Sequence, residues 1–151
     1  MFGRTPAAII DRVRHSRQSK TDLLKAVPLF SRCSRKELAG IARMADELSL
    51  PAGKDLTIEG RPAREFFILM DGGAVVRRKG RKIRELGPGE MVGEIALLNQ
   101  GPRTATVTLT EPSRVLVLTA RDFHALLREL PALAVKVLAV VGERLKDSAG
   151  S

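Results

Sequence analysis

The sequence predicts a mainly β domain with flanking helices (α+β). Its centre is an antiparallel β-roll, or jelly roll, of short strands, with N-terminal and C-terminal helices packed on it. Three observations carry this expectation. Between Leu48 and Leu118, short apolar runs alternate with glycine-bearing turns at Gly53, Gly60, Gly72, Gly80, Gly87 and Gly101. That punctuation is the sign of many short antiparallel strands. Before this region and after Thr119, apolar residues recur at helical spacing. Within it, residues 94–98 are the one helical interruption.

Taken in order, Thr5-Pro6 suits the start of a helix, with Thr5 as cap, Pro6 where no N–H is needed, and Ile9, Ile10 and Val13 as its apolar face. A second short helix is expected over residues 21–26. Leu23 and Leu24 face inward, and Pro28 stops it. Ser34 and Glu37 have the spacing of a capping box, and the helix they open carries Leu38, Ile41, Ala42 and Ala45. Strands are clearest at residues 66–69, 74–76, 105–109 and 114–118. The run Arg77-Arg78-Lys79-Gly80-Arg81-Lys82 lies between Val75-Val76 and Ile83 and reads as a solvated hairpin tip. Residues 122–127 form a first C-terminal helix, and Pro131 opens another toward Leu145. That last helix is apolar on nearly all sides from Leu133 to Val141, so it has more than one surface to cover. Gly142 marks a weak point or bend in it.

Composition narrows the function. The 151 residues suit one domain with a real core. There is no Trp and no Tyr, so the core is aliphatic and base stacking on those rings is excluded. Cys33 is the single cysteine, which excludes an internal disulfide, a cysteine-ligated cluster and a cysteine-rich zinc site. The first nineteen residues are polar and basic rather than a secretory leader, and no apolar run could span a bilayer, so a cytoplasmic protein is expected. The formal charge of +9 lies largely in residues 4–20 and 77–82 and reads as a basic surface that draws anions. No nucleophile–base pair or metal set can be assembled, so no enzyme is expected. His15 and His124 read as helix-surface residues, Cys33 as a buried or half-buried thiol, and Met44, Met70 and Met91 as packing residues.

The densest chemistry lies in Gly93-Glu94-Ile95-Ala96-Leu97-Leu98, the loop Asn99-Gln100-Gly101, and Pro102-Arg103-Thr104-Ala105-Thr106. Glycine lets backbone come close to a ligand. A helix starting at Glu94 has leading N–H groups without internal partners, which favour negative charge. Arg103 offers a planar fork of donors suited to phosphate, Pro102 stiffens the return, and Thr104 adds a hydroxyl. In isolation, Glu94 and Arg103 would equally fit an internal ion pair closing a turn; the surrounding framework favours an anion site.

This segment resembles the phosphate-binding cassette of the cyclic-nucleotide-binding domain family. That family includes catabolite-activator-type regulators, regulatory subunits of cyclic-AMP-dependent kinase and cyclic-nucleotide-gated channels. The resemblance runs from about Leu24 to Leu145, through Val27-Pro28-Leu29-Phe30, Pro51-Ala52-Gly53, Glu59-Gly60, Phe67-Ile68-Leu69 with Gly72, Leu86-Gly87-Pro88-Gly89-Glu90, and Asp122-Phe123 with Pro131. It divides the chain into an N-terminal helical extension (1–22), a cyclic-nucleotide-binding domain (23–147) and a short tail (148–151). Val92 departs from the family, where Phe is common before Gly-Glu.

The resemblance implies that the ligand is cyclic AMP, with cyclic GMP as the alternative, and that no cofactor or metal is needed. Arg103 would pair with the phosphate, and the N–H groups of Ile95 and Ala96, behind Gly93, would bond its oxygens. Thr104 would meet the phosphate or the base, and Glu94 the ribose 2′-hydroxyl. Val76 and Val92 would support the base, and Arg144 falls where some members bring an arginine over it. No winged helix-turn-helix, catalytic domain or pore segment is recognisable up to Ser151, so the expectation is a sensor without its own output. It would act through its last helix on a protein partner or a second copy. Two other functions stay open: an interaction module of the same fold that does not bind nucleotide, and a basic-surface nucleic-acid binder.

Overall fold

The computed structural model describes residues 20–150, with the side chains of Arg144 and of residues 148–150 left aside. The expected helix at Thr5-Pro6 lies outside the described residues. Residues 20–25 are helical (α1), and a 3₁₀ turn follows at Pro28–Phe30. Helix α2 spans Arg35–Met44. Eight strands come next: β1 (Asp46–Leu50), β2 (Asp55–Thr57), β3 (Glu65–Asp71), β4 (Ala74–Arg78), β5 (Arg81–Leu86), β6 (Met91–Val92), β7 (Thr106–Leu109) and β8 (Ser113–Thr119). Between β6 and β7 lies a second 3₁₀ turn, Glu94–Leu97. Helices α3 (Ala120–Glu129) and α4 (Pro131–Gly150) close the domain.

The strands form two four-stranded antiparallel sheets, β1-β8-β3-β6 and β2-β7-β4-β5. This is the β-roll with flanking helices that the sequence predicts. The first sheet is covered on both faces, which explains the unbroken apolar runs in β3 and β8. Because side chains alternate along a strand, Phe66 and Ile68 of β3 and Leu116 and Leu118 of β8 face the helices. Phe67, Leu69, Val115 and Val117 face the inside of the roll, against Leu86, Val107 and Leu109 of the second sheet.

Two cores result. The helix-side core gathers Leu24, Ile41, Phe123, Leu133 and Val137 around Phe30. The Phe30 ring meets Phe66 edge-on at 6.4 Å between centroids and Phe123 at 5.6 Å. Cys33 is buried in this core, and burial together with the nearby Glu37 charge pushes its thiol up to about 11. It stays protonated and inert at neutral pH.

Local chemistry sets the boundaries. The capping box is present: the Ser34 hydroxyl accepts from the Glu37 amide, and the Glu37 carboxylate accepts from the Ser34 amide at 2.8 Å. The β4–β5 hairpin turns through Lys79 (φ 52°) and Gly80 (φ 78°), between the paired residues Arg78 and Arg81. Positive φ at both positions is the signature of a two-residue type I′ turn. Helix α4 runs through Gly142 without a break, and Gly142 is exposed with open space beside it. No packing demand acts there to break the helix.

Helix α4 also covers less than its composition suggests. Leu133, Val137 and Val140 are buried, whereas Val135, Leu138 and Leu145 are each 66% exposed. It is tied down by Lys136, whose ammonium meets the Glu37 carboxylate at 2.6 Å, and by an Arg32–Glu143 ion pair. The Lys136 contact, with the Ser34 amide, holds the Glu37 carboxyl below the usual carboxylate range.

A lowered folded-state pKa contributes stability above the ordinary value and loses it as pH falls through the lowered one. Lys136→Ala should therefore cost about 0.5–1 kcal/mol at neutral pH. The difference should be smaller at acidic pH, as the Glu37 carboxyl takes up its proton. Urea denaturation of parent and variant at the two pH values measures it.

Candidate functional site

The 3₁₀ turn after β6 and the return through Arg103 are built onto one strand. Met91 and Val92 pair with Ile68 and Phe67 of β3, which sets the level of Gly93. The return segment is fixed by backbone bonds to the loop before β3: the Arg103 amide donates to the Arg61 carbonyl at 2.8 Å, and the Gly60 amide donates to the Arg103 carbonyl at 2.9 Å. The Ala63 amide donates to Gly101, and Pro62 bridges Pro102. The Arg103 side chain then reaches the first residue of β3, where its Nη2 donates to the Glu65 carbonyl at 2.5 Å.

Gly93 makes this approach possible. It sits at φ 76°, in the left-handed region, and a methyl group on it would overlap the Arg103 guanidinium. A side chain there would be strained and would displace the arginine. Partial burial lowers the Arg103 pKa, and the Glu65 charge opposes that shift. The group remains cationic at any physiological pH.

A cavity of about 210 Å³ opens in front of this guanidinium. Val76, Val92, Gly93, Arg103 and Thr104, all singled out from the sequence, line it. Leu86 and Val107 add apolar wall, and the exposed Arg78 and Arg84 complete one side. Among the described side chains none from α4 lines the cavity, and the Arg144 side chain lies outside them.

Three of the sequence-derived residues sit elsewhere. Glu94 is 9% exposed and is not among the residues lining the cavity; its Oε2 accepts from the Leu29 amide at 3.4 Å. A buried carboxylate needs donors, and the Pro28–Phe30 turn supplies one. Ile95 is exposed and outside the cavity lining. The Ala96 amide is already bonded to the Gly93 carbonyl at 2.9 Å. The expected α-helical start is a 3₁₀ turn, whose i→i+3 bonds engage that amide.

Other residues of the site escape a reading of the sequence. His124 is not a surface residue: it is half-buried on α3, with Nε2 at 2.7 Å from the Leu97 carbonyl. A carbonyl only accepts, so Nε2 carries the proton and donates. Glu65 acts through its backbone carbonyl, which leaves no trace in side-chain chemistry. Arg84 was hidden in a basic stretch, although its two-residue spacing from Leu86 puts both on one face of β5. No His, Cys, Asp and Glu group that could hold a metal occurs among the described residues.

The His124 bond ties the cassette to α3. His124→Ala should leave the Leu97 carbonyl without this donor and destabilise the fold by about 1–2 kcal/mol. Hydrogen exchange should accelerate at the Leu98 and Asn99 amides, which close on Ile95, more than in β3 or β8.

Comparison with known proteins places this geometry. The model of the cyclic nucleotide-binding domain family matches residues 47–129. The cyclic AMP receptor protein of Thermus thermophilus is 28% identical over 83% of this chain and 60% of its own length. A cyclic nucleotide-gated potassium channel of Mesorhizobium japonicum is 34% identical over 74% of this chain and 31% of its own. Among solved structures, the N-terminal domain of a transcriptional regulator from Streptomyces coelicolor superposes with a TM-score of 0.78 at 30% identity, covering 85% of this chain and 93% of that one. The chain thus spans between 31% and 60% of the length of these two curated relatives. The family match runs from the second residue of β1 to the last of α3, the whole roll and the helix that seals it, and the chain belongs to the cyclic nucleotide-binding domain family.

Proposed function

We propose that this domain is a receptor for a 3′,5′-cyclic purine nucleotide and signals through α4. The observation that carries the reading is the guanidinium of Arg103, held against Gly93 by the Glu65 carbonyl and facing a cavity with apolar walls. A cyclic phosphodiester bears one negative charge, and one arginine meets it. Val76, Val92 and Leu86 receive the uncharged remainder. The cyclic AMP receptor protein and the cyclic nucleotide-gated channel among the relatives support the ligand class. The resemblance favours cyclic AMP, with cyclic GMP as the alternative.

The route to an output follows from Glu94. The ribose 2′-hydroxyl offers that carboxylate a new donor. Taking it would release the Leu29 amide in the Pro28–Phe30 turn. Helix α4 packs on this turn, so its seat would change as the cavity fills. Ligand drives such a change only through unequal affinity for the two arrangements. The exposed Val135, Leu138 and Leu145 form the surface on which a protein partner or a second copy would register it. Among the described residues no helix is long and apolar enough to cross a membrane.

The same exposed residues favour a second reading, an interaction module indifferent to nucleotide. Sedimentation with and without nucleotide separates the two. Self-association that ignores ligand supports the second.

Titration calorimetry tests the first reading. Cyclic AMP or cyclic GMP should bind with an affinity of about micromolar order. Arg103→Ala should weaken binding by about one to two orders of magnitude, the loss of a charge-assisted hydrogen bond. Its circular dichroism spectrum should stay that of the parent. No heat and no thermal shift with either nucleotide at millimolar concentration, or full affinity in the variant, would end this reading.

A further inference from the structure

We propose that the tip of the β4–β5 hairpin is a docking element for an anionic lipid bilayer. The proposal goes beyond the receptor reading and does not depend on what fills the cavity.

Residues 77–84 hold six cations, one glycine and one isoleucine, with no carboxylate among them. Arg77 pairs with Lys82, and Arg78 with Arg81. Like charges thus stand directly opposite each other twice in succession, an arrangement that costs stability in a sheet. An anionic surface against the tip removes that cost. Successive pairs project to opposite faces of the ribbon, and Lys79 stands in the turn beyond them. The cations therefore surround the tip rather than line one face. Glu85 meets Lys82 at 3.4 Å, and Glu90 meets Arg84 at 3.8 Å. Both pairs are largely exposed and weak, so the tip keeps a strong positive field.

Ile83 chooses among anionic partners. The register steps from the Val76–Arg84 pair to the Arg77–Lys82 pair, which leaves Ile83 as an extra residue in β5. A bulge of this kind re-aims a side chain. Ile83 is 47% exposed and is not part of the cavity lining, so an aliphatic group stands in solvent amid the cations. The phosphates of a nucleic acid would match the charge but gain nothing from an isoleucine. The tip also has no ring to stack on a base: the chain has no Trp or Tyr, and Phe30, Phe66, Phe67 and Phe123 are buried. A bilayer surface uses both features, cations for anionic headgroups and an aliphatic side chain for the interfacial layer beneath.

Charge on an edge strand also keeps it from pairing with another sheet. That accounts for β5, which is an edge strand. It does not account for Arg77 and Arg78 on the inner strand β4, or for Ile83.

Cosedimentation of the full chain with lipid vesicles tests the proposal. Vesicles of equimolar phosphatidylcholine and phosphatidylserine should take up the protein, and vesicles of phosphatidylcholine alone should not. Uptake should fall steeply as salt is raised. One variant carries Arg77→Gln, Lys79→Asn, Arg81→Gln and Lys82→Gln together, all outside the cavity lining. It should lose about a hundredfold or more in uptake, since each cation at an anionic surface contributes about fivefold. Asn suits the positive φ of residue 79 and keeps the turn. Ile83→Ser should weaken uptake about five- to tenfold and leave any retention on duplex DNA unchanged. These side chains are exposed, and unchanged thermal melts would confirm that both variants fold.

No uptake by the phosphatidylserine vesicles overturns the proposal. Uptake that survives the four-site variant also overturns it, because the contact then lies elsewhere, as in the basic residues 4–20. An Ile83→Ser variant that binds vesicles like the parent shows that charge alone is met, and the lipid assignment falls. Tighter binding to duplex DNA than to these vesicles, lost in the four-site variant, gives the tip to nucleic acid instead. None of these outcomes involves the cavity, so the receptor reading stands or falls separately.

Discussion

One hydrogen bond organises the site. The Arg103 guanidinium donates to the carbonyl of Glu65 at the start of β3, in space that exists only because residue 93 has no side chain. A free arginine samples many rotamers, and ordering it on binding costs free energy. Here that ordering is done by the fold. The cation is half-buried, where its attraction to an anion is screened less than in open water. Strand β3 supplies the acceptor, pairs with β6 to place Gly93, and follows the loop that grips the Arg103 backbone. The Arg103 guanidinium is therefore anchored to the doubly covered sheet beneath it.

The same segment is wired to the helices by polar contacts at its far side. His124 of α3 donates to Leu97, and Glu94 accepts from Leu29 in the turn on which α4 rests. Lys136 and Glu37 tie α4 to the start of α2. Each bond joins residues far apart in sequence; the first two sit between the roll and the helical layer, and the third joins two helices within that layer. These bonds form a short chain of contacts from the cassette to α4. Helix α4 also leaves Val135, Leu138 and Leu145 exposed at the surface.

Much of this was legible in the sequence, for local reasons. Capping at Ser34 and the hairpin turn at Gly80 express short-range rules, and the order Gly93, Pro102-Arg103 carries the family resemblance. What was not legible depends on distant partners. His124 reads as surface because its acceptor is a carbonyl 27 residues away. The bond from the Leu29 amide to Glu94 was equally hidden, because the two residues lie 65 apart in sequence. The helical start was expected to offer free amides, but a four-residue 3₁₀ turn engages the Ala96 amide internally. Arg84 was concealed by its basic neighbours, and only the strand register separates it from the solvated tip.

The most direct measurement follows the Arg103 side chain itself by NMR, with nitrogen-15 in arginine and Arg103→Lys to assign the signal. A guanidinium already positioned for phosphate should give a restrained, slowly exchanging Nη resonance in the ligand-free protein. That resonance should move on addition of cyclic nucleotide while those of the hairpin-tip arginines Arg77 and Arg81 stay in place. An Arg103 signal that averages like theirs, and is untouched by saturating nucleotide, would contradict the claim that this arginine is held ready for an anion.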